Sequence, residues 1–174
     1  IEGINRGDQF VKIAKAITPR KPIVALYVGG SEAGKQAGLS HTGSLSGPNE
    51  IYDGIFRQCG IIRAQTLTEL FDYALALGTL PHPGGNRVVI QTHSGGPGAT
   101  AADSCGRSGL TLPRLSPETV EKLKPMIPKT ASTANPVDMT FSKNPSEDYF
   151  NIPDALLQDK QTDMLLAYFV SPGL

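Results

Sequence analysis

Apolar positions recur along the chain in two alternating rhythms. Phe10, Val11, Ile13, Ala14 and Ile17 fall at three-to-four spacing behind Asp8, which predicts a helix capped by Asp8 and stopped before Pro19. Ile23 to Val28 then runs without polar alternation, the pattern of a strand covered on both faces in a parallel sheet. After a long glycine-rich stretch, Asn49 to Cys59 predicts a helix with Ile51, Ile55, Phe56 and Cys59 on its inner side and Gly60 as its stop. Ile61 to Ala64 reads as a short strand. Thr66 and Glu69 form a capping box before Leu67, Leu70, Phe71, Ala74 and Leu75, a stripe that runs as far as Gly78.

Residues 79–86 hold prolines and glycines in a polar setting and are expected to link two units, 1–78 and 87–174. The second unit starts as the first did: a buried strand, Val88 to Thr92, a tight turn from His93 to Gly98, and a helix from Ala99 to Arg107. Leu110 to Leu115 is expected to be extended, and Ser116-Pro117-Glu118 to open a helix that Pro125 ends. Ala134 to Asp138 reads as a structured turn. Ser146 to Gln158 is helical in pattern, but Pro153 predicts a break within it. Met164 to Val170 reads as a last buried strand. Strands alternating with helices define an α/β fold with parallel, three-layer, flavodoxin-like units.

Composition narrows the function classes. Sixteen basic and sixteen acidic residues cancel, which leaves no electrostatic footprint for nucleic acid or an anionic membrane. No apolar run reaches the ~20 residues of a membrane-spanning helix, and the first residues lack a basic-then-apolar leader, so a cytoplasmic protein is expected. Cys59 and Cys105 have no metal-ligand or redox spacing and read as core residues; no metal site is expected. Ile1-Glu2-Gly3-Ile4 looks like the end of a strand, and the chain is expected to be part of a longer polypeptide.

The chemistry concentrates between Gly29 and Gly47, where nearly every side chain is small and His41 is the one strong nucleophile or base. Glycines let backbone amides approach an anion, and Ser and Thr add hydroxyl donors. The loop follows the carboxyl end of a strand, the usual ligand position in open α/β sheets. Gly29 to Lys35 nearly matches a nucleotide-binding P-loop, but Gln36 stands where the magnesium-binding hydroxyl belongs, and a helix is not expected to start there. Neutral histidine can attack a phosphoryl group, with its second nitrogen oriented by a carboxylate. Glu2 is either that carboxylate or a surface residue. The His93 to Gly98 turn offers a second anion site from helix-start amides, with His93 either contacting the anion or only occupying the turn. A triad of Ser94, His41 and Asp103 has no support from spacing.

Ser31-Glu32-Ala33-Gly34, Ser40-His41-Thr42-Gly43-Ser44, Gly95-Gly96-Pro97-Gly98 and Asn135-Pro136-Val137-Asp138, in that order, resemble the NDP-forming acyl-CoA synthetases. This family includes the ADP-forming acetate-CoA ligases and is related to succinyl-CoA synthetase. The resemblance implies that His41 carries a phosphoryl group from an acyl phosphate to ADP and that Glu2 holds its ring. Ser40, Thr42 and Gly43 would surround the phosphoryl group, and Ser94, Gly95, Gly96 and Gly98 would receive it. It further implies CoA, ADP or ATP, phosphate and magnesium in the intact enzyme, with none of them bound by this part alone. The partners it implies are an ATP-grasp domain or subunit, a CoA-binding domain and an oligomeric assembly, without nucleic acid or membrane. The family often has Asn where His93 stands. A non-catalytic acyl-CoA sensor, as in fusions to protein acetyltransferases, is the rival reading; retention of His41 argues against it.

Overall fold

A computed structural model describes residues 1–36, 47–140, 142 and 144–169. Its contacts divide the chain into two compact units, 1–82 and 83–174. In the first, α1 (Gly7–Ile17), β1 (Val24–Leu26), α2 (Asn49–Cys59), β2 (Ile62–Ala64) and α3 (Leu67–Thr79) follow in order. β1 and β2 pair in parallel, Ala25 opposite Arg63. The backbone of Ile1 lies along the other side of β1, its amine donating to Leu26 O at 2.7 Å and its carbonyl accepting from Val28 N at 3.0 Å. The core gathers Ala14, Ala25, Tyr27, Tyr52, Phe56, Cys59 and Ile61.

Several expectations for this unit change. Asp8 does not cap α1: the helix starts at Gly7 behind Arg6, with no side-chain cap, and Asp8 falls in the first turn, where its charge favours the helix dipole. β1 is fully buried on one face, and α3 half-covers the other. Ala25 and Tyr27 are buried, whereas Val24, Leu26 and Val28 line an apolar groove with Ile1, Leu67 and Leu70. In α2 the inner face is Tyr52, Phe56 and Cys59, with Ile55 partly buried and Ile51 exposed, because Tyr52 rather than Ile51 stacks on Tyr27. The stop at Gly60 is as expected, in the left-handed conformation at φ 68°. Thr66 caps α3 by accepting from Glu69 N, and Glu69 answers one residue back, at Gln65 N. No residue of α3 is fully buried; Leu67, Phe71 and Leu75 stand in solvent along one side.

The second unit contains β3 (Val88–Thr92), α4 (Gly95–Arg107), α5 (Pro117–Leu123), β4 (Val137–Asp138), α6 (Pro145–Leu157) and β5 (Met164–Tyr168). Its sheet is parallel with order β4-β3-β5. β3 is buried at all five positions. Val88 and Ile90 pack with Ala101 and Cys105 of α4, while Val89 joins Leu123, Ile152, Ala155 and Leu156 from α5 and α6 on the opposite face. These are the three layers expected. Arg87 and Asp163 fasten the amino ends of β3 and β5 through three bonds of 2.7–3.0 Å.

Here too the structure corrects the pattern. Pro153 does not break α6, which is one helix of 13 residues; burial of Ile152, Ala155 and Leu156 around the proline offsets the hydrogen bond it cannot make. The turn expected over Ala134 to Asp138 is confined to 134–136, where the chain bends through a cis Asn135–Pro136 bond; Val137 and Asp138 form β4. Because β4 has only two residues, the Asn135 side chain completes the edge of β3. Its Oδ1 accepts from Ile90 N at 3.0 Å, and its Nδ2 donates to Val88 O at 2.8 Å and Pro113 O at 3.2 Å. β5 is not buried: in the described residues it forms an edge, with Leu166 and Tyr168 exposed.

Candidate functional site

Two loop regions at carboxyl ends of strands carry the predicted site residues, one in each unit. In the first unit the chain leaves β1 through Tyr27, Val28 and Gly29, the last at φ 118°, a value open to glycine at little cost. Ser31 then starts a helical turn over 32–36, its Oγ accepting from Gly34 N at 3.1 Å. This turn was not expected. Its Lys35 pairs with Glu32 at 2.7 Å, a bond that raises the lysine pKa, so the P-loop resemblance has neither its hydroxyl at position 36 nor an unengaged lysine.

The chain returns at Gly47. Tyr27 Oη donates to Gly47 O at 2.6 Å, and the Tyr27 ring stacks on Tyr52 with centroids 3.7 Å apart. Asn49, at the start of α2, sets its side-chain amide so close to Gly30 that any β-carbon there would overlap it. Arg63 of β2 donates to Asn49 Oδ1 at 2.8 Å and to Asp53, and its guanidinium lies 5.8 Å from the centre of the Tyr27 ring. Glu2 is exposed and follows Ile1, whose backbone pairs beside Leu26 and Val28 where the loop departs. Ser40, His41, Thr42 and Gly43 lie outside the described residues.

In the second unit α4 starts at Gly95, four residues before the expected Ala99, so the Gly-Gly-Pro-Gly run is the first helical turn rather than the turn before it. Ser94 is the N-cap residue but makes no side-chain cap bond. Its N–H is taken by Thr92 Oγ1 at 3.1 Å, and its carbonyl accepts from Thr92 Oγ1 at 2.9 Å and from Gly98 N at 3.2 Å. The amides of Gly95 and Gly96 occupy the first-turn positions that have no partner within a helix, and Pro97 contributes none. Gly98 is needed for packing: a methyl there would sit 2.7 Å from Thr92 Cγ2.

Two further residues adjoin this helix start. Asp138 pairs across the sheet from Thr92, its Oδ1 accepts from Thr140 N at 2.9 Å, and its Oδ2 would lie 3.3 Å from a methyl on Gly95. The sequence marked Asp138 as part of a turn and of a family segment, with no role at this helix start. Its signal is register: the last residue of a strand beside β3 must come next to the loop that follows β3. His93 sets its Nδ1 3.0 Å from Tyr149 Oη, and Tyr149 donates to Tyr168 O. Phe169 closes this cluster, its ring 5.4 Å from that of His93 and 5.2 Å from that of Tyr149. Burial pushes the Tyr149 phenol above its usual pKa, which keeps it a donor. His82 is exposed, and Asp103 is an exposed partner of Arg107 on α4. Among the described residues, no group of His, Cys, Asp and Glu could hold a metal ion, and no helix is long and apolar enough to cross a membrane.

Parallel α/β units with glycine-rich segments at their strand ends match two family models: the succinyl-CoA ligase like flavodoxin domain over residues 1–77 and the Ligase-CoA domain over 88–171. The chain belongs to the NDP-forming acyl-CoA synthetase family. It is similar to the alpha subunit of acetate–CoA ligase [ADP-forming] II from Pyrococcus furiosus, with 45% identity over 99% of this chain and 37% of the relative. Acetate–CoA ligase [ADP-forming] I of Archaeoglobus fulgidus is 39% identical over 95% of this chain and 24% of its own length. Among solved structures, the dinucleotide forming acetyl-coenzyme A synthetase 1 of Ca. Korarchaeum cryptofilum, in complex with phosphate and ADP, superposes with a TM-score of 0.80. That pair is 33% identical over 98% of this chain and 38% of the other. The chain thus spans about a quarter to two fifths of the length of these relatives.

Proposed function

We propose that this chain is the phosphohistidine-bearing part of an ADP-forming acyl-CoA synthetase, which converts acyl-CoA, ADP and phosphate to a carboxylic acid, CoA and ATP. Phosphate displaces CoA from the thioester, and His41 takes the phosphoryl group from the resulting acyl phosphate, releasing the carboxylate. ADP then takes it from the histidine. A covalent carrier is needed because acyl phosphate and nucleotide occupy separate sites. Glu2 orients the His41 ring, Ser40, Thr42 and Gly43 surround the phosphoryl group, and the start of α4 at Ser94, Gly95, Gly96 and Gly98 receives it. Residues 79–86 link the two units. The CoA-binding domain, the ATP-grasp domain or subunit and magnesium belong to the assembled oligomeric enzyme, in the cytoplasm, and the chain alone does not turn over.

The observation that carries this reading is the stem of the glycine-rich loop at the carboxyl end of β1, with Ile1 paired beside it so that Glu2 falls next to the loop's departure. In the assembled enzyme, acyl phosphate should leave an acid-labile, base-stable phosphate on His41, read by mass spectrometry. His41→Ala should abolish both that label and ATP formation; persistence of either in the variant refutes the assignment.

A further inference from the structure

Arg63 is a costly residue where it stands. Its side chain is 14% exposed, and its Nε has no hydrogen-bond partner. Withdrawing a guanidinium from water with one donor unmet is unfavourable, and an apolar side chain would fill the same space more cheaply. What the guanidinium does achieve is contact with both arms of one loop.

On the returning arm it donates to Asn49 Oδ1 and, more weakly at 3.5 Å, to Asn49 O, and it pairs with Asp53 one turn further along α2. On the outgoing arm it lies over the Tyr27 ring, and Tyr27 in turn grips Gly47 O. The Asn49 side chain that Arg63 holds is the one packed against Gly30. The two ends of the segment 31–46 are therefore joined through one side chain on the neighbouring strand, fixed by pairing with β1.

We infer that Arg63 is a positioning residue for this loop: it locks Gly30 and Asn49 together and so sets where the loop presents His41. The inference rests on the phosphohistidine reading for its catalytic consequence, though the mechanical tie stands apart from it. Arg63 acts through Asn49 and Tyr27 and needs no contact with substrate. A planar fork can hold the Asn49 and Asp53 oxygens in fixed directions at once; an ammonium cannot.

The test uses the full chain in the assembled enzyme. Arg63→Met should lower the rate of phosphoryl uptake at His41 at least about tenfold, since small misplacements of a reacting group have effects of that order or more. It should also speed amide exchange at Gly34 and Lys35 while the amides of Phe56 and Cys59 stay protected. Arg63→Lys should restore neither. Phe56→Leu, a core change, should lower the melting temperature yet leave the uptake rate near wild type. Wild-type rate and exchange in folded Arg63→Met, or full rescue by lysine, overturns the inference. If the wild type takes up no phosphoryl group, the carrier reading fails and the exchange measurement alone decides the tie. Should Arg63→Met not fold, Asn49→Ala removes the side chain through which Arg63 reaches Gly30; unchanged uptake and exchange in it would likewise refute the tie.

Discussion

Tyr149 settles which nitrogen of His93 carries a proton. The phenol has one hydrogen and spends it on Tyr168 O at 2.5 Å, so the contact of 3.0 Å to His93 can be made only by Nδ1–H donating to Tyr149 Oη. Whenever the ring is neutral it therefore presents Nε2 as an acceptor, at the residue just before the cap of α4.

Three histidines in the chain make this measurable by nitrogen NMR on histidine-labelled protein. One of them should show the Nδ1–H tautomer and lose it in Tyr149→Phe. The substitution should cost about 1 kcal/mol, the usual worth of a hydrogen bond. An Nε2–H pattern for His93 in the wild type would contradict the assignment.

Neighbouring glycines in the first turn of α4 should respond in opposite ways. Gly98→Ala forces a methyl to 2.7 Å from Thr92 Cγ2 and should destabilise the second unit by about 1–3 kcal/mol, as overpacking does. Gly96→Ala meets nothing within 4 Å and should be neutral or stabilising, by at most about 1 kcal/mol. Thermal unfolding of the two variants compares them directly.

Arg87 holds the Asp163 carboxyl well below its ordinary pKa of 3.8, at about 2, chiefly through hydrogen bonds from its side chain and its backbone N–H. A carboxyl group depressed in the folded chain binds its proton more weakly there than in the unfolded chain. Its stabilisation is therefore whole above the ordinary value and is lost as pH falls from 3.8 to about 2. Asp163→Asn should be less stable at neutral pH and should lack this component of the acid limb, as denaturant titrations at several pH values would show.

Asn135 should tolerate little. Asn135→Ala leaves Ile90 N and Val88 O without their partners at the edge of β3 and should cost about 2–3 kcal/mol. Asn135→Asp keeps an acceptor for Ile90 N but turns an oxygen toward the carbonyls of Val88 and Pro113, and should be worse. Chemical denaturation ranks the two, and an aspartate variant as stable as wild type would rule out the edge-completing role.

What could be read in advance depended on whether a residue's neighbours lie close in sequence. The bounds of α2, set by Pro48 and Gly60, and those of β3, buried on both faces, were legible. β4 was not, because two residues after a proline carry no periodicity and exist as a strand only through pairing with Gln91 and Thr92. Pro153 misled because its helix is held by the burial of Ile152 and Leu156, a tertiary effect that overrides local propensity. At the candidate sites, composition pointed to the two glycine-rich segments. Arg63 was missed, and Asp138 was noted without its place beside α4, because register, not spacing, brings them there.

The open side of α3 has a practical consequence. Leu67, Phe71 and Leu75 are each more than 60% exposed and recur every four residues, which places them in one row along the helix. A chain carrying such a row into solution is prone to reversible clustering, most strongly in sulfate or phosphate buffers, which favour apolar burial. Light scattering should rise with concentration and fall in Phe71→Lys. Binding and unfolding measurements on the chain therefore belong at low concentration, where scattering is flat.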